Sequence, residues 1–256
     1  MRRKDAQVIH FMKKTIILIP SRLSASRLPN KPLLKINNKS LINHVYEKGQ
    51  STKIGEVYVA TGDNKIFEEV IKNNGKSILT TKDHLTGTDR IHEAYEQLNR
   101  NDIDYVINLQ GDEPLIDTND IINLNNLAIQ HNSEIATLAC KLETKNIKNK
   151  NVVKVICNEN IIKNKISSAK EFLRSVKNEK IENIYHHIGI YIYKVTTLKK
   201  FVGLKQSPNE ISLKLEQLRA LHNNIKIDVV FANSIPVGVD TNEDFLEIKK
   251  LMEYKS

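Results

Sequence analysis

Four consecutive apolar residues, Ile16-Ile17-Leu18-Ile19, run straight into Pro20. That junction constrains the fold of this chain more than any other segment. A short run that is apolar at every position has no solvent face, so it reads as a strand buried on both sides, as in a parallel sheet. Pro20, Pro29 and Pro32 then stop regular structure and stiffen the loop. Between them lie Ser21, Arg22, Arg27 and Lys31, with no acidic residue. Open α/β sheets bind ligands outside the carboxyl ends of their strands. Three cations there suit a polyanion such as a triphosphate. On spacing alone, a solvated basic loop is an equal reading.

The remainder of the first half alternates apolar runs with helical patterns. Strands are predicted at 15–19, 56–60, 76–80, 105–109 and 135–140. Helices are predicted at 40–50, from Asp63 with Ile66, Phe67, Val70 and Ile71 on one face, at 89–98 and at 118–129. Repeated βα units imply a doubly wound, mostly parallel sheet. After Lys141 the pattern changes. Residues 141–151 are rich in Lys and Asn, and short strands follow at 152–157, 161–167 and 184–193. Helices at 195–202 and 210–221, a strand at 226–230 and a helix at 243–254 close the chain. The organisation reads as an N-terminal extension (1–13), a nucleotide-binding α/β region (14–140), a β-rich excursion (141–205) and a C-terminal segment completing the site (206–256).

Composition narrows the class. At 256 residues the chain can bury a substantial core, and 40% hydrophobic with 27% charged residues is ordinary for a globule. No apolar run approaches the ~20 residues of a membrane span. The polar, basic start lacks a signal h-region, so a cytoplasmic setting is expected, with Met12 a candidate start. Cys140 and Cys157 have no metal-ligand spacing and read as buried free thiols. The net charge of +9 comes from lysines scattered along the whole chain, and aromatics are only 5%. No basic face with interleaved aromatics results, so no nucleic-acid partner is expected.

Five segments carry candidate chemistry. In Gln110-Gly111-Asp112-Glu113-Pro114, Asp112 follows a central strand, where a carboxylate suits a nucleotide-borne Mg²⁺ or caps the next element. In Val237-Gly238-Val239-Asp240-Thr241, Asp240 precedes the last helix and is a second metal candidate or a cap. Thr86-Gly87-Thr88-Asp89-Arg90 lies at a loop-to-helix junction, with Asp89 a candidate N-cap and Arg90 a candidate surface residue. In the alternating strand from His186 to Tyr193, period two puts His187, Gly189, Tyr191 and Tyr193 on one face. No third ligand has zinc spacing, so zinc is rejected. In Leu215-Glu216-Gln217-Leu218-Arg219, helical spacing puts Ile211, Leu215 and Leu218 on an apolar face, with Glu216 and Gln217 turned from it.

The order Pro-Ser-Arg-x-x-x-Ser-Arg-Leu-Pro-x-Lys-Pro resembles the nucleotide loop of sugar nucleotidyltransferases, and most of all that of bacterial 3-deoxy-manno-octulosonate (Kdo) cytidylyltransferases. Asn30 stands where their loop has Gly, a mild change because Asn tolerates left-handed backbone. The resemblance continues through the five segments above, in order, over residues 14 to about 250. It implies a nucleotidyltransferase-type fold, CTP and an acidic eight-carbon sugar as substrates, Mg²⁺ as cofactor, a homodimer, and a CMP-sugar product used in lipopolysaccharide synthesis. By the same resemblance Arg22, Lys31, Asp112 and Asp240 are catalytic, the two aspartates holding the metal. Ser21, Arg22, Arg27, Lys31, Gly87, Arg90 and Gln110 would bind nucleotide, and Gln110, His187, Tyr191, Glu216 and Gln217 the sugar. Three departures stand out. His186 and Ser168 each replace an Arg, and Leu213 replaces a Glu. Arg174 and His186 are candidate substitutes for the Arg missing at Ser168, and a related acid sugar, 8-amino-Kdo or a sialic acid, is the alternative substrate.

Overall fold

The computed structural model describes residues 13–24, 27–81, 83–176, 181–235 and 237–254. The extension read at 1–13 lies outside these residues except for Lys13, as do Ala25 and Ser26 of the basic loop. In chain order the elements are β1 (Thr15–Ser21), β2 (Lys35–Ile36), β3 (Lys39–Ser40), α1 (Leu41–Ser51), β4 (Val57–Thr61), α2 (Asn64–Lys72), β5 (Ser77–Leu79), α3 (Gly87–Leu98), β6 (Tyr105–Asn108) and α4 (Thr118–Gln130). There follow β7 (Ile135–Lys141), β8 (Lys154–Cys157), α5 (Ile161–Asn164), β9 (Ile166–Leu173), β10 (Ile184–Lys194), α6 (Val195–Val202), α7 (Pro208–Leu213), α8 (Leu218–His222), β11 (Ile227–Phe231) and α9 (Asn242–Glu253).

The strand β1 is buried on both faces, as its composition demands. Ile16 and Leu18 join one apolar cluster with Ile91, Ala94 and Phe201, and Ile17 and Ile19 join another with Val45, Val70 and Leu124. Helices therefore cover both faces, with α3 and α6 on one side and α1, α2 and α4 on the other. The main sheet runs β5-β4-β1-β6-β10-β7-β11-β9-β8.

This sheet is mixed, which corrects the expectation of a mostly parallel one. The pairs β4–β5, β1–β4, β1–β6 and β7–β11 are parallel. However, β10 enters antiparallel between β6 and β7, and β8, β9 and β11 also pair antiparallel. Each strand's pattern reports its burial but not its direction, so the sequence could not supply this. The strand β10 is long enough to serve two partners. Its start pairs with β8 and its end with β6, closing β7, β11, β9, β8 and β10 into a ring.

Three local expectations also change. The strand predicted at 161–167 is a short helix, α5, capped by the Asn160 side chain, and β9 starts only at Ile166. The helix predicted at 210–221 is broken into α7 and α8 by the left-handed Lys214 (φ 52°). Ile211 consequently stays 61% exposed while Leu215 is buried. Finally, Thr86, not Asp89, caps α3, and Asp89 completes a capping box from the third helical position.

Candidate active site

Two clefts open at the carboxyl ends of the central strands. The first, about 360 Å³, is lined by Ser21, Arg22, Arg27, Lys31, Gly87 and Arg90 among others. The second, about 690 Å³, takes in His187, Tyr191, Glu216 and Gln217. Gln110, Asp112 and Asp240 line both, so these three residues mark where the clefts meet. Every site residue named from the sequence lines one cleft or the other.

The loop after β1 is held open as a cradle. Asn30 adopts the left-handed conformation (φ 55°, ψ 21°) that its Gly-replacing position implied. Asp63 does not cap α2 with its side chain; instead its carboxylate accepts from the Leu23 N–H at 2.9 Å and braces the loop. A Cβ on Gly111 would stand 3.1 Å from the Pro20 carbonyl oxygen, and one on Gly87 3.1 Å from Pro20 Cγ. Both glycines thus let neighbouring segments close onto the end of β1. Arg90 is 4% exposed rather than a surface residue, and its guanidinium donates to Thr80 Oγ1 and the Thr81 carbonyl.

Neither acidic candidate is a helix cap. Asp117 caps α4, and Thr241 with Asp244 forms the capping box of α9. Asp112 and Asp240 both face Lys31 instead. Lys31 Nζ lies 2.6 Å from Asp112 Oδ2 and 3.7 Å from Asp240 Oδ1, and Arg27 stands 3.3 Å from Asp240. The Val239 N–H donates to the Asp112 carbonyl, which fixes the two segments together. Two hard carboxylate oxygens that already share an ammonium fit a divalent cation such as Mg²⁺, which keeps waters and completes its shell with substrate phosphates. Among the described residues no group of three or more His, Cys, Asp or Glu forms a closed metal cage.

In the second cleft, Thr137 on β7 stands in register with Tyr191. His187 Nε2 shares hydrogen bonds with Thr137 Oγ1 (3.1 Å) and the Tyr191 hydroxyl (3.0 Å). Burial, with His186 adding to it, pushes the His187 imidazole down to about 3, so it is neutral at physiological pH. The break between α7 and α8 turns Glu216 and Gln217 inward, correcting the expectation of an outward helical face. Burial raises the Glu216 carboxyl, while Thr88 Oγ1 donates to Glu216 Oε2 at 2.9 Å. A buried ion pair holds the break: Arg219 donates to both Glu210 oxygens at 2.5–3.2 Å. Burial alone would raise the Glu210 carboxyl, but Arg219, Gln206 and the Ser207 N–H outweigh it and hold it low.

Among the described residues, four buried side-chain polar atoms lack a hydrogen-bond partner: Ser21 Oγ, Glu113 Oε2, Glu216 Oε1 and Gln217 Nε2. All four residues line these clefts. Buried polar atoms are normally satisfied, so one orphan in the first cleft and three in the second describe surfaces made for polar ligands. Sequence reasoning missed Ser24, His84, Thr88, Thr137 and the cleft role of Glu113. Thr88 lies inside the segment singled out around Gly87 and His84 just before it, and Thr137 emerges only from strand register. Ser168, by contrast, accepts a hydrogen bond from Asn158 opposite β11 and lines neither cleft.

Comparison with known proteins agrees with this geometry. The family described as cytidylyltransferase matches residues 16–227. A 3-deoxy-manno-octulosonate cytidylyltransferase of Thermodesulfovibrio yellowstonii is 42% identical over 251 residues, covering 93% of this chain and 98% of that protein. The Bartonella henselae protein of the same name is 39% identical over 239 residues, with the same coverages. A solved CMP:2-keto-3-deoxy-manno-octonic acid synthetase complexed with CTP superposes with a TM-score of 0.87 at 33% identity, over 95% of this chain and 100% of that one. UDP-glucose pyrophosphorylase shares the fold alone, with a TM-score of 0.66 at 12% identity over 96% of this chain and 100% of that one.

Proposed function

Because this chain belongs to the cytidylyltransferase family, we propose that it transfers CMP from CTP to the anomeric hydroxyl of Kdo, releasing pyrophosphate and supplying CMP-Kdo for lipopolysaccharide synthesis. One observation carries the reading. A cation-rich cleft and a cleft with orphaned sugar-reading groups meet at Gln110, Asp112 and Asp240. A reaction joining a triphosphate to a polyhydroxylated acid needs that juncture.

In this reading the triphosphate lies over Ser21, Arg22, Arg27 and Lys31, with Gly87 and Arg90 shaping the nucleoside side. Arg22 and Lys31 stabilise charge on the phosphates as the sugar oxygen bonds to the α-phosphorus and the bond to the departing pyrophosphate breaks. Asp112 and Asp240 would hold Mg²⁺, which would supply Lewis-acid polarisation of the phosphate and of the attacking hydroxyl. Glu216 and Gln217 offer their free atoms to sugar hydroxyls. His187, kept neutral, and Tyr191 form the wall that orients the ring. Alignment and charge neutralisation, rather than covalent chemistry, are what these residues supply. The reading includes a homodimer, checked by sedimentation.

The test is pyrophosphate release with CTP and Mg²⁺ against a panel of Kdo, 8-amino-Kdo, a sialic acid and a neutral sugar, with the CMP-sugar identified by mass. Turnover with Kdo well above the others supports the proposal. A preference for another acid sugar transfers the reading to it, and no turnover with any of them defeats it.

A further inference from the structure

The second cleft is unbalanced in charge in an informative way. Its lining contains five carboxylates, on Asp112, Glu113, Glu216, Asp240 and Asp244, and one guanidinium, that of Arg174. Arg174 follows the end of β9 and has no carboxylate partner among the described residues. Its Nε donates to the Leu213 carbonyl at 2.7 Å, and its two terminal nitrogens donate to the Lys150 and Lys214 carbonyls at 3.2 Å. A guanidinium has five N–H donors, so those three bonds leave two for a ligand.

Behind it lies Lys154, fully buried, whose ammonium donates to the Asn149 carbonyl at 2.5 Å and the Arg174 carbonyl at 3.0 Å. Lys154 also has no acidic partner among the described residues. Burial and then Arg174 hold its ammonium below the usual lysine range, and burial and then Lys154 hold the adjacent His186 down. Arg174 and His186 therefore line one wall of the cleft, with the Lys154 ammonium behind them. Arg174 lines the cleft with two N–H donors to spare, and a ligand anion can pair with them. Ser168, standing where the resembling family has Arg, supplies no charge and lies outside the cleft.

We propose that Arg174 receives the carboxylate of the acidic sugar, with Lys154 fixing the Arg174 main chain from behind. The inference rests on the sugar-acid reading above and adds a specificity-determining residue to it. A planar fork matches a carboxylate in a way that an ammonium does not. Its fixed position, set by three carbonyls from two other segments, means that little side-chain freedom is lost on binding.

Arg174 also supports the Leu213–Lys214 turn, so lost activity alone would not separate recognition from structure. The decisive comparison uses two competitive inhibitors: the Kdo analogue lacking the anomeric hydroxyl, and its C1 carboxamide. The wild type is expected to prefer the acid, and Arg174→Gln to lose about 10- to 100-fold of that preference, with KM for CTP little changed. Arg174→Lys, which keeps the charge and the fold if Gln does not, should fall between them. An equal loss of affinity for acid and amide in either variant overturns the inference and leaves Arg174 a support for the turn. An undiminished preference also overturns it and transfers the carboxylate to another group. Failure of the wild type to turn over any acid sugar overturns the parent reading, and this inference with it.

Discussion

Lys31 Nζ donates to Asp112 Oδ2 at 2.6 Å and to the Val239 carbonyl at 2.7 Å. One ammonium thereby ties the loop after β1 to the turn after β6 and to the segment before α9. Three elements far apart in sequence meet on this ammonium, and with Arg27 3.3 Å from Asp240 it offsets the mutual repulsion of the Asp112 and Asp240 carboxylates. Asp112→Asn and Asp240→Asn should each lower turnover by about two decades or more without unfolding the protein. Steady-state rates at saturating Mg²⁺, with circular dichroism as the fold check, test this. A variant with near-wild-type activity removes that carboxylate from the metal site.

Lys31→Ala should reduce triphosphate turnover just as steeply, because a positioned cation acts on charge near the reacting phosphorus. Binding to heparin or DNA should hardly change, since one charge is lost from a chain of net +9. Full activity in Lys31→Ala would exclude it from the chemistry.

Gln217→Ala removes the orphaned Gln217 Nε2 from the second cleft. KM for the sugar should rise at least tenfold while KM for CTP stays within about twofold. Equal changes in both would make Gln217 a support for the fold instead of a reader of the sugar.

Glu210→Gln leaves the buried Arg219 guanidinium without its carboxylate. Breaking a buried pair on one side costs about 3–5 kcal/mol. Urea denaturation should show a loss of that order and retained m-value. A loss below about 1 kcal/mol would mean that Arg219 finds another partner, with Glu216, 3.8 Å away, the nearest acid.

His187 links stability to pH. Its folded value is about 3, against 6.5 for the free side chain. Between those values the unfolded chain binds a proton that the folded chain refuses, so stability falls as pH drops from 6.5 toward 3 and is unaffected above 6.5. Replacing His187 by Gln should flatten the decline of unfolding free energy between pH 6.5 and 4. Parallel wild-type and variant curves would show that the imidazole titrates normally.

The sequence, read for motif and family resemblance, named residues that all line one of the two clefts. Pro20 ends a strand and the cations follow it. Asp112 comes after a strand and Asp240 before a helix. Asn30 tolerates the left-handed turn that its place requires. These are local statements, and local sterics and solvation decide them.

Tertiary structure decided the rest. The direction of β10, the break at Lys214 and the inward turn of Glu216 and Gln217 rest on contacts with distant partners. The Glu210–Arg219 pair, nine residues apart, and the Arg174 bonds to Leu213 and Lys214, 39 and 40 residues away, hold that break, and helical periodicity announces neither. A strand buried on two faces looks the same in either orientation, so β10 could be recognised from its pattern but not directed. The same holds for Ile211, Leu215 and Leu218. Their spacing is helical, yet one residue at positive φ ends the helix before the period can act. Side-chain pattern reports what must be buried; which neighbour buries it depends on chain reversals that pattern does not encode.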